Sequence, residues 1–297
     1  MNGILAFIIE VNFGLLAAAA LCLLPLVFVI IRIQRVHKER RAESKTPFKE
    51  LRRRPAGEAL RMKIAVLDEE INDRIFLLLA MPAGMVMAMF IVKPFNFFDS
   101  LIFVAFSLIW TLAFKGKLSK SLEERRKCQL GYDGERFVGE ELSRLIGAGF
   151  EIYHDVPFDG FNMDHVLVGK PGVFVVETKT KSKPVDESGS KKFEVVFDGR
   201  RLHWPWGTES RDIEQARYNA KTLSKWLTSA VGEVVGVSPI VTFPGWWVER
   251  KAPYDGVYVL NPKEIIQVCD SSEFKLNEMR IRQICHHLDT KCRVEIK

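Results

Sequence analysis

Apolar positions are spread unevenly along the 297 residues: long unbroken runs lie before residue 115, and short alternating or periodic runs after residue 128. Phe13–Ile31 is nineteen residues without a charged side chain, interrupted only by Pro25, enough for a helix to cross roughly 30 Å of hydrocarbon. Two further runs, Ile75–Val92 and Leu101–Phe114, are joined by a short aromatic link, Lys93–Ser100, which suits a helical hairpin. The charged stretch 33–74 between the first and second runs has a heptad-like pattern at Glu58–Ile71 and reads as an amphipathic helix. This predicts an all-α transmembrane region over 1–127, with about three spans near 11–32, 75–92 and 100–114 and a basic cytoplasmic segment at 33–74. A cleaved signal peptide is the alternative for the first run, but Glu10 stands where a signal would carry Lys or Arg. A pair of buried core helices is the alternative for the other two, though nothing nearby in sequence would cover them.

Residues 128–297 read as a separate α/β domain. Gly134–Ile146 places Phe137, Val138, Leu142 and Leu145 at helical spacing. Phe150–Val156, Asn162–Val168 and Val173–Lys179 then read as three strands, with Lys170-Pro171-Gly172 as a turn between the last two. A hairpin is expected from Phe193–Phe197 and Arg201–Trp204 around Asp198-Gly199-Arg200. Asp212–Leu227 reads as a helix, Val237–Phe243 and Gly256–Leu260 as strands, and Asn261-Pro262 as the start of a further helix.

Charge sharpens the division. The net charge is +6, yet residues 1–128 carry 20 Lys/Arg against 12 Asp/Glu and residues 129–297 carry 23 against 25. The basic excess therefore flanks the apolar runs, where a positive-inside topology accounts for it; it says nothing of DNA binding by the second half. That topology puts the N-terminus outside and the C-terminal domain in the cytoplasm, at an inner (cytoplasmic) membrane. Asp, Glu, Lys and Arg occur only near the ends of the runs, which argues against transport. Five cysteines without CxxC pairing suggest free thiols in a reducing compartment, and Cys285-His286-His287 with Cys292 lacks the paired-ligand spacing of zinc sites.

Within the domain, period two puts Val173, Val175, Glu177 and Lys179 on one strand face. Two charges at the end of an apolar strand face are costly unless paired or bound to metal; a fraying edge strand, with Lys181 and Lys183 continuing the alternation, is the competing reading. Asp164 opens the neighbouring strand, and a hairpin of that length brings its carboxylate near Glu177. Two carboxylates with a backbone carbonyl are suitable oxygen ligands for Mg²⁺.

Three stretches, Gly131-Tyr-Asp-Gly-Glu-Arg-Phe-Val138, Asn162-Met-Asp-His-Val-Leu-Val168 and Gly172-Val-Phe-Val-Val-Glu-Thr-Lys179, resemble the nuclease-related domain (NERD) family of the PD-(D/E)xK nuclease superfamily over about residues 128–245. The resemblance implies a restriction-endonuclease-like αβββαβ core. It implies Mg²⁺ or Mn²⁺ as cofactor, with Asp164, Glu177 and Glu135 as metal-binding acids, Lys179 as the catalytic lysine and Gln215 as a glutamine that helps position the site. Some members carry Q-x-x-x-Y here, whereas Tyr218 follows Gln215 by three residues. His165 is expected to pack rather than ligate.

Lys181, Lys192, Arg200 and Arg201, with tryptophans nearby in sequence, are candidate nucleic-acid contacts. The resulting expectation is a membrane-anchored, metal-dependent DNA endonuclease, with foreign or plasmid DNA as the candidate target, DNA and the lipid bilayer as partners and a homo-oligomer or a membrane protein as a further one. The alternative is a catalytically inactive nuclease-fold module for nucleic-acid or protein binding at the membrane.

Overall fold

The computed structural model describes residues 53–92, 97–183, 193–252, 255–269 and 275–293. Two helices come first, α1 (Glu58–Val92) and α2 (Phe97–Ser143), and a 3-10 turn, Arg144–Ala148, leads into the strands. The meander is present as expected: β1 (Glu151–Phe158), β2 (Phe161–Gly169) and β3 (Gly172–Thr178). Then follow β4 (Glu194–Phe197), β5 (Leu202–Trp204), β6 (Gly207–Glu209), α3 (Arg211–Val231), β7 (Val237–Thr242), β8 (Trp247–Arg250), β9 (Tyr258–Leu260), α4 (Ile265–Cys269) and α5 (Glu278–Cys292).

The chain divides into two compact units. One includes Leu67–Glu123; the other comprises Leu51–Val66 with Glu124–Lys297. The second is the α/β unit, and it takes in the segment that precedes α1 together with the first turns of α1, up to Val66.

Its main sheet has the order β1-β2-β3-β7-β9. β1, β2 and β3 pair antiparallel, while β3–β7 and β7–β9 are parallel. The parallel step from β3 to β7 passes through α3, as a parallel connection requires a crossover. With the end of α2 ahead of the strands, the order is αβββαβ, so the expected α/β core is present. A smaller sheet, β6-β5-β4-β8, holds the expected hairpin, with Val196 opposite His203 and Phe197 opposite Leu202.

All seven residues of β3 are buried, and their alternation divides the core. Val173 and Val175 pack with Ala220, Leu223 and Leu227 of α3, whereas Phe174 and Val176 pack with Val138 and Leu142 of α2. A strand covered by a helix on each face is apolar on both, which is why the sequence shows a near-continuous apolar run here.

The apolar N-terminal half departs from expectation. Among the described residues, no helix is long and apolar enough to cross a membrane. The span placed at 11–32 lies outside the described residues. Those placed at 75–92 and 100–114 fall within α1 and α2, and both helices are charged over much of their length. The uninterrupted apolar part of α2, Leu101–Phe114, is fourteen residues before Lys115, against about 20 for a spanning helix. The described helices therefore do not supply the transmembrane region. Nor is this run a core helix, since Leu101, Ile102, Val104, Leu108, Ile109 and Leu112 are all exposed. Cys128, Cys269, Cys285 and Cys292 are free thiols.

Candidate active site

The site forms where the β2–β3 ladder ends. Pairing runs from Gly169–Gly172 to His165–Val176 and stops there. Instead of continuing the ladder, Asp164 accepts the Thr178 N–H on its own Oδ2 at 2.7 Å. On the other side of β3 the Lys179 N–H donates to the Thr242 carbonyl of β7 at 3.0 Å. The strand end is thus fixed from both neighbours, and the fraying-edge reading is replaced by a buried terminus that belongs to a central strand.

Glu177 is 3% exposed, and both of its carboxylate oxygens accept hydrogen bonds. Oε1 accepts from Gln215 Nε2 at 2.7 Å and from Lys179 Nζ at 2.9 Å. Oε2 accepts from Asn219 Nδ2 at 2.8 Å. Lys179 Nζ also donates to Gln215 Oε1 at 2.9 Å, so Glu177, Lys179 and Gln215 close a triangle of contacts. Residues four apart on a helix share a face, which is how Gln215 and Asn219 both reach β3 from α3. Asn219 escaped sequence reasoning; it stands at the fourth position after Gln215, where Q-x-x-x-Y places its tyrosine. Tyr218 points elsewhere, exposed and packed on Phe161 with ring centres 5.8 Å apart.

Glu135 comes from α2, on the opposite face of the sheet. Its approach depends on Gly134. A Cβ there would fall 1.7 Å from Thr180 Oγ1 and 2.9 Å from Thr180 Cβ, so no side chain fits and the helix can press against the end of β3. Because Glu135 arrives from the other face, the three acids do not close into one tight ligand set. Among the described residues, no group of three or more His, Cys, Asp or Glu side chains is placed to hold a metal ion.

The electrostatics show an excess of negative charge. Burial raises the pKa of Asp164 well above the ordinary aspartate value, and Glu177 and Glu135 push it further. Glu135 is pushed up to about 7, first by burial and then by Asp155 and Glu177. Burial likewise raises Glu177 despite the opposing pull of Lys179. Burial pulls the Lys179 ammonium down, but Glu177, Asp164 and Asp212 outweigh it and leave its pKa raised. The two shifts in the Glu177–Lys179 pair have different origins: burial raises the carboxyl, and the surrounding carboxylates raise the ammonium. A pocket of buried carboxylates short of positive charge fits a hard, oxygen-seeking divalent cation, and Asp164 with Glu177 offers the donors.

The remaining predicted residues fall differently. His165 is fully buried, with Nδ1 2.8 Å from Nδ1 of His154, and burial lowers both pKa values, His154 to about 4. A neutral, enclosed histidine pair is a packing element, as expected. Lys181 is committed to Glu209 at 2.8 Å and to the buried Asp212 at 3.4 Å, so it reinforces the start of α3. Arg200 and Arg201 sit on the β4–β5 turn of the small sheet, where their backbone N–H groups donate to Asp198 Oδ1 at 2.8 and 2.7 Å. Lys192 lies outside the described residues.

Asp155, also unforeseen, stands opposite Asp164 in the β1–β2 register, between the pairs His154–His165 and Val156–Met163. It has a φ of 50°, uncommon for a residue other than glycine. Its carboxylate accepts from Ala59 N at 2.8 Å and Asn162 Nδ2 at 2.9 Å, tying the first turn of α1 to the site.

No curated protein and no solved structure matches the chain. Residues 130–244 match the family model of the nuclease-related domain, so the segment that carries Glu135, Asp164, Glu177, Lys179, Gln215 and Asn219 is supported as a nuclease-related domain.

Proposed function

We propose that the α/β unit is a metal-dependent phosphodiesterase acting on DNA, held at the cytoplasmic face of the inner membrane by the apolar N-terminal half. The observation that carries the reading is Lys179 Nζ, 2.9 Å from Glu177 Oε1 beside the enclosed Asp164, inside a segment that matches the nuclease-related domain. Asp164 and Glu177 would hold Mg²⁺ or Mn²⁺, with Glu135 adding charge from the other face. Such an ion supplies Lewis-acid polarisation of a phosphodiester. Lys179, fixed by Glu177 and Gln215, presents a permanent positive charge to offset the charge that builds on phosphorus during attack by water. Gln215 and Asn219 hold Glu177 in one rotamer, so the acid and the lysine keep their spacing when substrate arrives. The membrane part of the reading is supported by the uncharged run Phe13–Ile31, long enough for a helix to cross a bilayer.

The test is incubation of the whole purified chain with linear, circular and single-stranded DNA. Cleavage is expected with Mg²⁺ or Mn²⁺ and none in chelator. Intact DNA under all metal conditions would overturn the catalytic reading and leave a binding module.

A further inference from the structure

The segment that precedes α1 is built into the α/β unit, and it shapes one wall of a cleft. Arg53 donates to Glu151 at 2.6 Å and to Asp289 at 2.8 Å, and lies 4.4 Å above the Tyr153 ring. Gly57, with a φ of 75°, passes so close to α2 that a Cβ would fall 2.7 Å from the Tyr132 ring. Between this segment and the Tyr132–Ser143 face of α2 opens a cleft of about 660 Å³ whose lining includes Arg53, Arg54, Arg61 and Arg136 against Glu58 and Glu140.

We infer that this cleft binds the sugar–phosphate backbone of a nucleic-acid strand leading into the carboxylate site, an inference that rests on the phosphodiesterase reading above. Three observations carry it. Four arginines line the cleft; Arg53 and Arg54 are held by Glu151, Asp289 and Asp155 outside the lining, while the more exposed Arg61 and Arg136 face it with guanidinium groups that match phosphate in a bidentate fork. Donors remain among the described residues: Arg61 commits Nε and Nη2 to Glu58, and Arg136 commits Nη2 to Glu140, leaving further N–H groups on each without a partner in the described residues. The cleft also adjoins the site. Arg136 follows Glu135 on α2, and the position a Gly57 Cβ would take lies 3.6 Å from Glu135 Oε2 as well as against Tyr132. A strand with repeated phosphates satisfies the arginines and reaches the carboxylates together; a single anionic headgroup satisfies only the first.

The experiment measures binding of the whole chain to labelled single- and double-stranded oligonucleotides in chelator, across a salt series. Arg61→Ala/Arg136→Ala is compared with Lys221→Ala/Lys225→Ala, two exposed lysines of α3, and denaturation midpoints check folding. The cleft variant is expected to weaken binding about tenfold or more and to reduce the salt slope by about 1 to 2, while the α3 variant binds as the parent does. Arg61→Lys/Arg136→Lys should restore part of the affinity. Equal binding by the cleft variant and the parent would overturn the inference. So would a parent that binds no DNA yet binds phosphatidylserine vesicles through these arginines, which would reassign the cleft to a lipid headgroup. Because binding is read without metal, a chain that cleaves normally but binds independently of the cleft refutes this inference and leaves the phosphodiesterase reading standing.

Discussion

Asn219 Nδ2 donates to Glu177 Oε2 at 2.8 Å, and both residues are almost wholly buried. With Gln215 and Lys179 on the other oxygen, the amide is one of the partners that allow a carboxylate to end an apolar strand face. A buried acceptor left without its donor costs about 1–3 kcal/mol, more when it is charged. Asn219→Leu should therefore lower stability by on the order of 2 kcal/mol in chemical denaturation, and Asn219→Asp by more, since it sets a second acid against Glu177. A leucine variant as stable as the parent would show that Glu177 does not depend on this bond.

Gly134 lies inside α2, where Ala would ordinarily gain about 1 kcal/mol in helix propensity. Contact with Thr180 reverses the sign: the added Cβ meets Thr180 Oγ1 and Cβ, and overpacking costs about 1–3 kcal/mol. Gly134→Ala is expected to lower the unfolding midpoint, and Gly134→Ala/Thr180→Gly to recover much of the loss relative to Thr180→Gly alone. A stabilising Gly134→Ala would mean that α2 does not press against the end of β3.

Glu135 has its pKa pushed up to about 7 by burial and by Asp155 and Glu177. A carboxyl that is harder to ionise in the folded protein than in the unfolded chain binds more protons when folded, so its contribution is lost as pH rises from the ordinary glutamate range through about 7. Glu135→Gln removes that loss. In chelator the variant should be more stable than the parent at pH 8, by on the order of 1–3 kcal/mol, with the difference fading near pH 5. Urea denaturation at the two pH values measures it, and a difference that does not change with pH would refute the electrostatic account of Glu135.

The meeting of Asp164 with Glu177, and of Glu177 with Lys179, was readable from sequence because it depends on two short-range rules, hairpin register and strand alternation. The core order αβββαβ was readable for the same reason. Asn219 was not, because it joins Glu177 across 42 residues through the seating of α3, and an asparagine in a polar-periodic helix carries no local signal. Lys181 looked available because its neighbours in sequence are basic; Glu209 and Asp212, which neutralise it, come from the other end of the β4–β6 excursion. The segment around Gly57 looked like a membrane-proximal linker, and only its tertiary contacts with Tyr132 and Asp155 reveal it as part of the α/β unit. β8 went unseen because four residues, half of them charged, show no pattern outside their pairing with β4.

The central claim is that Asp164, Glu177 and Lys179 form a working phosphodiesterase site, and the most direct measurement is the single-turnover DNA cleavage rate of the whole chain in Mg²⁺ for the parent, Asp164→Asn and Lys179→Met. Loss of one such electrostatic contributor is expected to slow cleavage by about 10²-fold or more, with both variants folded and with chelator abolishing the parent's activity. Cleavage at the parent's rate by either folded variant would contradict the claim.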